Sequence, residues 1–214
     1  IMKKYLNYIL YLTSSLGVIA SSVVTASAEN LYTNTIEINN TNDSLKIIED
    51  SNEIEDLLKK KGIYNENEEV LAVIEIKGDE PKKLAEERLI KREIYTKYKS
   101  RYEGTKANAK YTYSYPSGSF SFSKEYSSGW KLNANLGLKV EVLEAALGYE
   151  LNGSEKETFS YTSNKINYPF TVKAYVNYEK KYYDVYDADL IYDNYIGSTS
   201  IERETGYTIK ITKS

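Results

Sequence analysis

From Trp130 to Val142 the chain reads WKLNANLGLKVEV. Trp130, Leu132, Ala134, Leu136, Leu138, Val140 and Val142 are apolar, and the residues between them are polar, charged or glycine. Successive side chains on a strand point to opposite faces, so this pattern predicts a two-faced β-strand. After Val142 the phase changes: Leu143, Ala145, Leu147, Tyr149 and Leu151 are apolar at odd positions, which requires a bulge or tight turn near Val142-Leu143. A helix competes here, because Leu136, Val140, Leu143, Leu147 and Leu151 also follow i, i+4, i+7 spacing. Gly148 and the flanking alternation favour the strand.

The same period of two runs through most of the second half. Ala107, Ala109, Tyr111, Tyr113 and Tyr115 alternate up to a turn at Pro116-Ser117-Gly118. Phe120, Phe122 and Tyr126 resume the pattern before Ser127-Ser128-Gly129. Asn152-Gly153 predicts a turn. Phe170, Val172, Ala174, Val176 and Tyr178 then share one face, followed by Tyr182–Tyr186, Leu190–Tyr192 and a last alternating run at Tyr207, Ile209 and Ile211. The first half is mixed. Residues 31–42 read as a short strand or arm, and Ser51–Lys61 as a helix with Asn52 and Glu55 as capping box and Gly62 as stop. Val70–Ile76 reads as a buried strand. In Lys82–Tyr98 an early helix opened by Pro81 competes with a later strand carrying Ile94, Thr96 and Tyr98. The fold class expected is mainly β, an antiparallel sheet or sandwich with a short α-helical N-terminal part.

Met2-Lys3-Lys4, a mostly apolar run to Val24 and the small-x-small site Ala26-Ser27-Ala28 have the form of a secretory signal peptide, so secretion is expected. The organisation expected is 1–28 signal, 29–80 acidic segment, 81–104 basic connecting segment and 105–214 antiparallel β-domain. Charge draws the middle boundary: Glu29–Glu80 holds 14 acids and 5 lysines, whereas Lys82–Arg101 holds 8 bases and 3 acids. The economical reading lays the acidic segment against the basic one within the molecule.

With no His and no Cys, the chain lacks Ser-His-Asp and Cys-His nucleophile systems, the usual zinc ligands and disulfides. The remaining carboxylates form no recognisable catalytic constellation, so a non-enzymatic protein without cofactor is expected. Asp184, Asp187, Asp189 and Asp193 are considered for calcium, but they lack an EF-hand loop and read first as turn and edge charges. The chain is acidic overall, at −3, which argues against nucleic acid as a partner.

LKVEVLEAALGYELN, FTVKAYVNYEKKYYDVYD, DNYIGST and the final alternating strand together resemble a group of small secreted β-rich proteins of Gram-positive bacteria, over about Tyr111–Lys213. The resemblance implies architecture and brings no catalytic residue. Two functions are expected to compete. In the first, Tyr175, Tyr182, Tyr183 and Tyr186 among the 23 tyrosines form a contact face for a protein or glycan at a cell surface. In the second, similar in pattern to aerolysin-like pore formers, Trp130, Leu132, Leu136, Leu138, Val140 and Val142 face lipid in an inserted β-hairpin, with Leu143–Leu151 as return strand. The Ser-rich alternation Ser119-Phe120-Ser121-Phe122-Ser123 adds to the second.

Overall fold

The computed structural model describes residues 44–81, 83–84, 94–151, 155–188 and 192–214. The expected signal peptide, the expected arm at 31–42, most of the early helix expected after Pro81, the expected Asn152-Gly153 turn, Leu190-Ile191 and Asp189 lie outside them. In chain order the elements are β1 (Ser44–Ile48), α1 (Ser51–Lys60), β2 (Val70–Lys77), β3 (Ile94–Thr105), β4 (Tyr111–Tyr115), β5 (Ser121–Ser127), β6 (Lys131–Leu132), α2 (Val140–Leu147), β7 (Lys156–Thr162), β8 (Phe170–Asp187) and β9 (Asn194–Lys213). All strand pairings are antiparallel, and the protein is mainly β.

Two long strands, β8 of 18 residues and β9 of 20, form the spine of a seven-stranded sheet ordered β1-β2-β9-β8-β3. β4 continues the β3 edge along the first half of β8, and β6 pairs with β9 beyond the end of β2. β5 and β7 pair with each other as a separate two-stranded sheet. Alternation assigns the faces. Phe170, Val172, Ala174 and Val176 of β8 join Tyr207, Ile209 and Ile211 of β9 and Ala72, Ile74 and Ile76 of β2 in one buried cluster. β5 and β7 close it with Phe122, Tyr126, Phe159 and Tyr161. Burial of each such side chain is worth about 1.5–3 kcal/mol, which makes this layer the main source of stability.

On the opposite face α1 buries Ile54 and Leu58 against Val73 and Tyr175. Its N-cap is Asp50, whose carboxylate accepts from the Asn52 and Glu53 amides at 3.0 Å, so Asn52 lies inside the helix rather than capping it. Lys210 is buried on this face, where its ammonium donates to Glu68 and to the Ile63 carbonyl. Glu68 also accepts from Lys173, and Glu69 pairs with Lys213. Glu68 and Glu69 of the acidic segment thus pair with lysines of β8 and β9, and Glu53, Glu55 and Glu75 with lysines of their own segment; among the described residues, Lys99 and Arg101 of the basic segment pair with Asp184, Glu103 and Glu179.

The expected strand at Trp130–Val142 is corrected. Only Lys131-Leu132 is strand; Asn133–Lys139 turns, and α2 begins at Val140. The phase change at Val142-Leu143 is the helical period taking over, with Leu143, Ala146 and Leu147 buried on one helix face. Gly148 ends α2 in the left-handed conformation at φ 75°, as a helix stop rather than a helix breaker. Leu136 also adopts a positive φ, 56°, and its side chain rests over Gly197. The segment between β5 and β7 thus leaves the β5–β7 side, passes the β9 edge through β6 and packs Trp130 and α2 on the far face of the sheet.

Candidate functional site

Alternation along β8 decides which tyrosines can act together. Even-numbered residues face the β5–β7 side, but that cover ends near Val176, so Tyr178, Tyr182 and Tyr186 lie on an open half of the same face. β3 adds Tyr95 and Tyr102, and β9 adds Tyr195, by register with β8. Tyr95 stacks on Tyr186 with centroids 5.3 Å apart, and Tyr195 meets Tyr186 edge-on at 5.5 Å. Tyr102 and Tyr178 lie 5.9 Å apart. Tyr102, Tyr182 and Tyr195 are exposed to 53%, 37% and 58%.

Cations sit over these rings. The ammonium of Lys97 is 4.4 Å from the Tyr186 centroid, that of Lys106 is 4.0 Å from Tyr178, and that of Lys180 is 5.1 Å from Tyr182. Asp184 lies among them. The Ser198 hydroxyl donates to it and Lys99 stands at 3.2 Å, and these two contacts hold its carboxyl below the usual range. Tyr95 donates to Asp193, which raises the phenol above its ordinary value. The result is an aromatic platform with charged and hydroxyl groups at its seams. It presents no nucleophile–base pair among the described residues.

Of the four tyrosines expected on a contact face, the structure brings together Tyr182 and Tyr186. Tyr175 and Tyr183 are odd-numbered and point the other way: Tyr175 is buried beside Lys210, and Tyr183 beside Tyr98. Burial pushes the Tyr183 phenol far above its ordinary value. β8 carries no extra residue against β3 or β9, so its odd and even positions cannot share a face. Tyr178 could have been found from the four-residue spacing 178, 182, 186. Tyr95, Tyr102 and Tyr195 needed the strand register.

The residues expected to meet lipid are closed against the sheet. Trp130 is buried, Leu132, Leu136, Leu138 and Val140 pack around it, and Val142 is the exposed one. Beneath Trp130 lies a group of buried charges that fastens this segment. Arg203 Nε donates to Glu179 Oε2 at 3.0 Å, and Nη1 donates to the Asp79 carbonyl at 2.7 Å. Arg101 Nε stands 2.8 Å from Glu179 Oε1 but off the hydrogen-bonding direction, so that oxygen has a charge contact without a hydrogen bond. Lys181 donates to Glu80 and to Tyr149 Oη, the latter at 3.0 Å. Burial opposes the Lys181 charge, yet the Glu80 and Tyr149 hydrogen bonds outweigh it and raise its pKa. Lys181 in turn lowers that of Glu80. Lys181 and Arg203 approach the Trp130 ring at 4.7 and 5.3 Å. These groups are paired with one another, which fits a structural clasp.

Asp184, Asp187 and Asp193 form no ligand cluster, and no group of three or more metal-ligating side chains occurs among the described residues. No protein-family model, curated protein or solved structure matches the chain, so the geometry of the open tyrosine face stands as the basis for reading its function.

Proposed function

We propose that this is a secreted, non-enzymatic binding protein that engages a partner at a cell surface through the open tyrosine face. One observation carries the reading: six tyrosine rings, Tyr95, Tyr102, Tyr178, Tyr182, Tyr186 and Tyr195, converge on the half of the sheet that β5 and β7 leave uncovered. Tyrosine offers large contact area at low entropic cost, and contiguous exposed aromatic area is a mark of interaction sites. The test is binding of labelled protein to arrays of cell-surface glycans and ectodomains, repeated with Tyr102→Ser and Tyr182→Ser. A ligand whose signal falls at least tenfold in both folded variants supports the reading. Equal signals from wild type and variants on every retained ligand refute it.

A second reading, membrane permeabilisation of the kind known from aerolysin-like proteins, is favoured by β5 and β7. Among the described residues they pair as strands with each other alone, carry Phe122, Tyr126, Phe159 and Tyr161 inward, and carry a Ser/Thr ladder outward. Ser121 meets Thr162 at 3.1 Å and Ser123 meets Ser160 at 2.9 Å. Such a pair has one apolar and one polar face, as a lipid-spanning strand needs. Each strand is 7 residues long, so spanning about 9–11 residues would draw on the segment between them. The absence of cysteine permits single-cysteine scanning with an environment-sensitive dye. Brightening on liposomes at positions 120 and 122 but not 121 and 123 supports insertion; no change at any of the four excludes it.

A further inference from the structure

On the sheet face opposite the open tyrosine rings, a cleft of about 450 Å³ lies between the C-terminal half of α1, β1, β2 and the end of β3. Register fixes the face. Asn177 is an odd-numbered residue of β8, like Tyr175 under α1, and its partner across β3 is Thr105; Lys46 stands opposite Glu75, and Glu75 opposite Thr208, which faces Tyr175. The volume falls within the range of about 300–1,000 Å³ usual for small-molecule sites.

One donor in this cleft is held in place and unused. Asn177 is 9% exposed, and its Oδ1 accepts from Thr105 Oγ1 at 2.9 Å, Thr208 Oγ1 at 2.8 Å and Lys61 Nζ at 3.4 Å. An ammonium can only donate, so the Lys61 contact settles which end of the amide is oxygen. The Asn177 NH2 has no hydrogen-bond partner among the described residues. It is not enclosed either: the sealed side-chain atoms without a partner are Trp130 Nε1 and Glu179 Oε1, so the Asn177 amide opens on the cleft. A largely buried donor without an acceptor favours a ligand that brings one.

The walls favour an anion. Lys46, Lys60, Lys61 and Lys77 line the cleft against Glu75 and Glu103. Both carboxylates are engaged, Glu75 by Lys61 at 2.9 Å and Glu103 by Arg101. Lys46 pairs with Glu53 at the rim, and Lys60 has no ion pair among the described residues. The carbonyls of Leu57, Leu58 and Lys59 at the end of α1 already accept from the amides of Lys61, Ile63 and Gly62, so they do not compete. Donors therefore stand on β8 below, on α1 and on β1 and β2. A planar carboxylate meets donors along one edge, whereas a phosphate group offers three acceptor oxygens and a charge of about −1.5 to −2.

We propose that this cleft binds a small phosphate monoester, with the Asn177 amide donating to a phosphate oxygen and the lysines, Lys60 foremost, balancing its charge. The site is separate from the tyrosine face and independent of it. The test is calorimetric titration of the purified protein with glucose 6-phosphate, inorganic phosphate, glucose, and vesicles of phosphatidylcholine and phosphatidic acid.

Glucose 6-phosphate is expected to bind, more weakly as salt rises, inorganic phosphate to compete with it, and glucose to give no heat. Lys60→Gln removes an exposed charge without touching the core and should weaken binding about tenfold, the equivalent of one charge-assisted contact. Asn177→Asp keeps the shape of the floor but sets an acceptor where the amide donates, and should weaken binding by about tenfold or more. Trp130 emission in urea checks the fold of that variant, and Lys60→Gln decides alone if the fold is lost. Tyr182→Ser, on the other face, should bind glucose 6-phosphate as wild type does. Absence of glucose 6-phosphate binding overturns the proposal, as does wild-type affinity in Lys60→Gln or in folded Asn177→Asp. Binding confined to the phosphatidic acid vesicles assigns the site to a lipid surface and overturns it too. Loss in Tyr182→Ser with wild-type affinity in Lys60→Gln moves the ligand to the tyrosine face, overturning the cleft and leaving the other reading standing.

Discussion

Replacing Glu179 by glutamine removes one charge from the clasp while keeping its shape. Glu179 is fully buried, and the three cations around it differ in what they have left. Arg101 is 40% exposed and turns into water, and Lys181 keeps Glu80 and Tyr149. Arg203, 2% exposed, keeps only the Asp79 carbonyl, the face of Trp130 and a neutral amide. Stranding a buried charge costs about 3–5 kcal/mol, and with one cation stranded out of three the lower end, about 3 kcal/mol, is expected. At a urea slope of about 2 kcal/mol/M the midpoint falls by about 1.5 M. The single tryptophan, Trp130, sits on the clasp and reports the transition by its emission. The double variant Glu179→Leu with Arg203→Met removes both charges and should recover most of the loss. A midpoint within about 0.3 M of wild type for Glu179→Gln, or a double variant that loses the sum of both singles, would refute a charge-coupled clasp.

Further outcomes follow from other parts of the fold. Leu143→Ala should cost about 2–5 kcal/mol and Val142→Asp under about 1 kcal/mol in the same urea assay, because the helix buries the first and exposes the second. A strand at Trp130–Val142 would reverse that order. Gly206→Ala should destabilise by about 3 kcal/mol or more, read as a lowered Tm: its φ is 126° and a Cβ would run into the Ile76 carbonyl. Gly206→Ala with wild-type Tm would mean that β2 and β9 are not registered as described. Glu80 is held below the usual carboxylate range by Lys181, so its contribution is complete above the unfolded pKa and lost as pH falls through the lower folded one. Tm should therefore drop below about pH 4, and Glu80→Gln should flatten that limb; equal acid limbs in both proteins would count against the pairing.

Strand faces were legible where alternation met no interruption. Phe170–Val176 and Tyr207–Ile211 share the buried face that their parity predicts, and Val70–Ile76 is a buried strand. Legibility failed where local pattern and long-range packing parted. Trp130–Val142 alternates perfectly, yet Trp130 and Leu132 pack as strand residues while Val140 onward packs as helix. The clasp and the α2 surface decide this, and both depend on residues 50 or more positions away, such as Thr96, whose hydroxyl donates to the Ala146 carbonyl. Bulges hide the rest. Extra residues at Lys99 in β3 and Thr205 in β9 shift parity on one strand of each pair, so Tyr98 and Tyr102, both even, fall on opposite faces. The open site was half legible for the same reason: three of its six rings sit on β8, and the other three are joined to it only through register.

β9 is the last strand in chain order, yet it lies inside the sheet, between β2 and β6 on one side and β8 on the other. Until it is in place β2 has no neighbour towards the centre, the cluster under β5 and β7 lacks Tyr207, Ile209 and Ile211, and the clasp lacks Arg203. β8 and β9 are consecutive and pair along their length as a hairpin, but joining β2 to β9 closes more than a hundred residues of chain. Loss of β9 would therefore be felt on both faces of the sheet at once, at the strand pairing of β2 and at the clasp under Trp130.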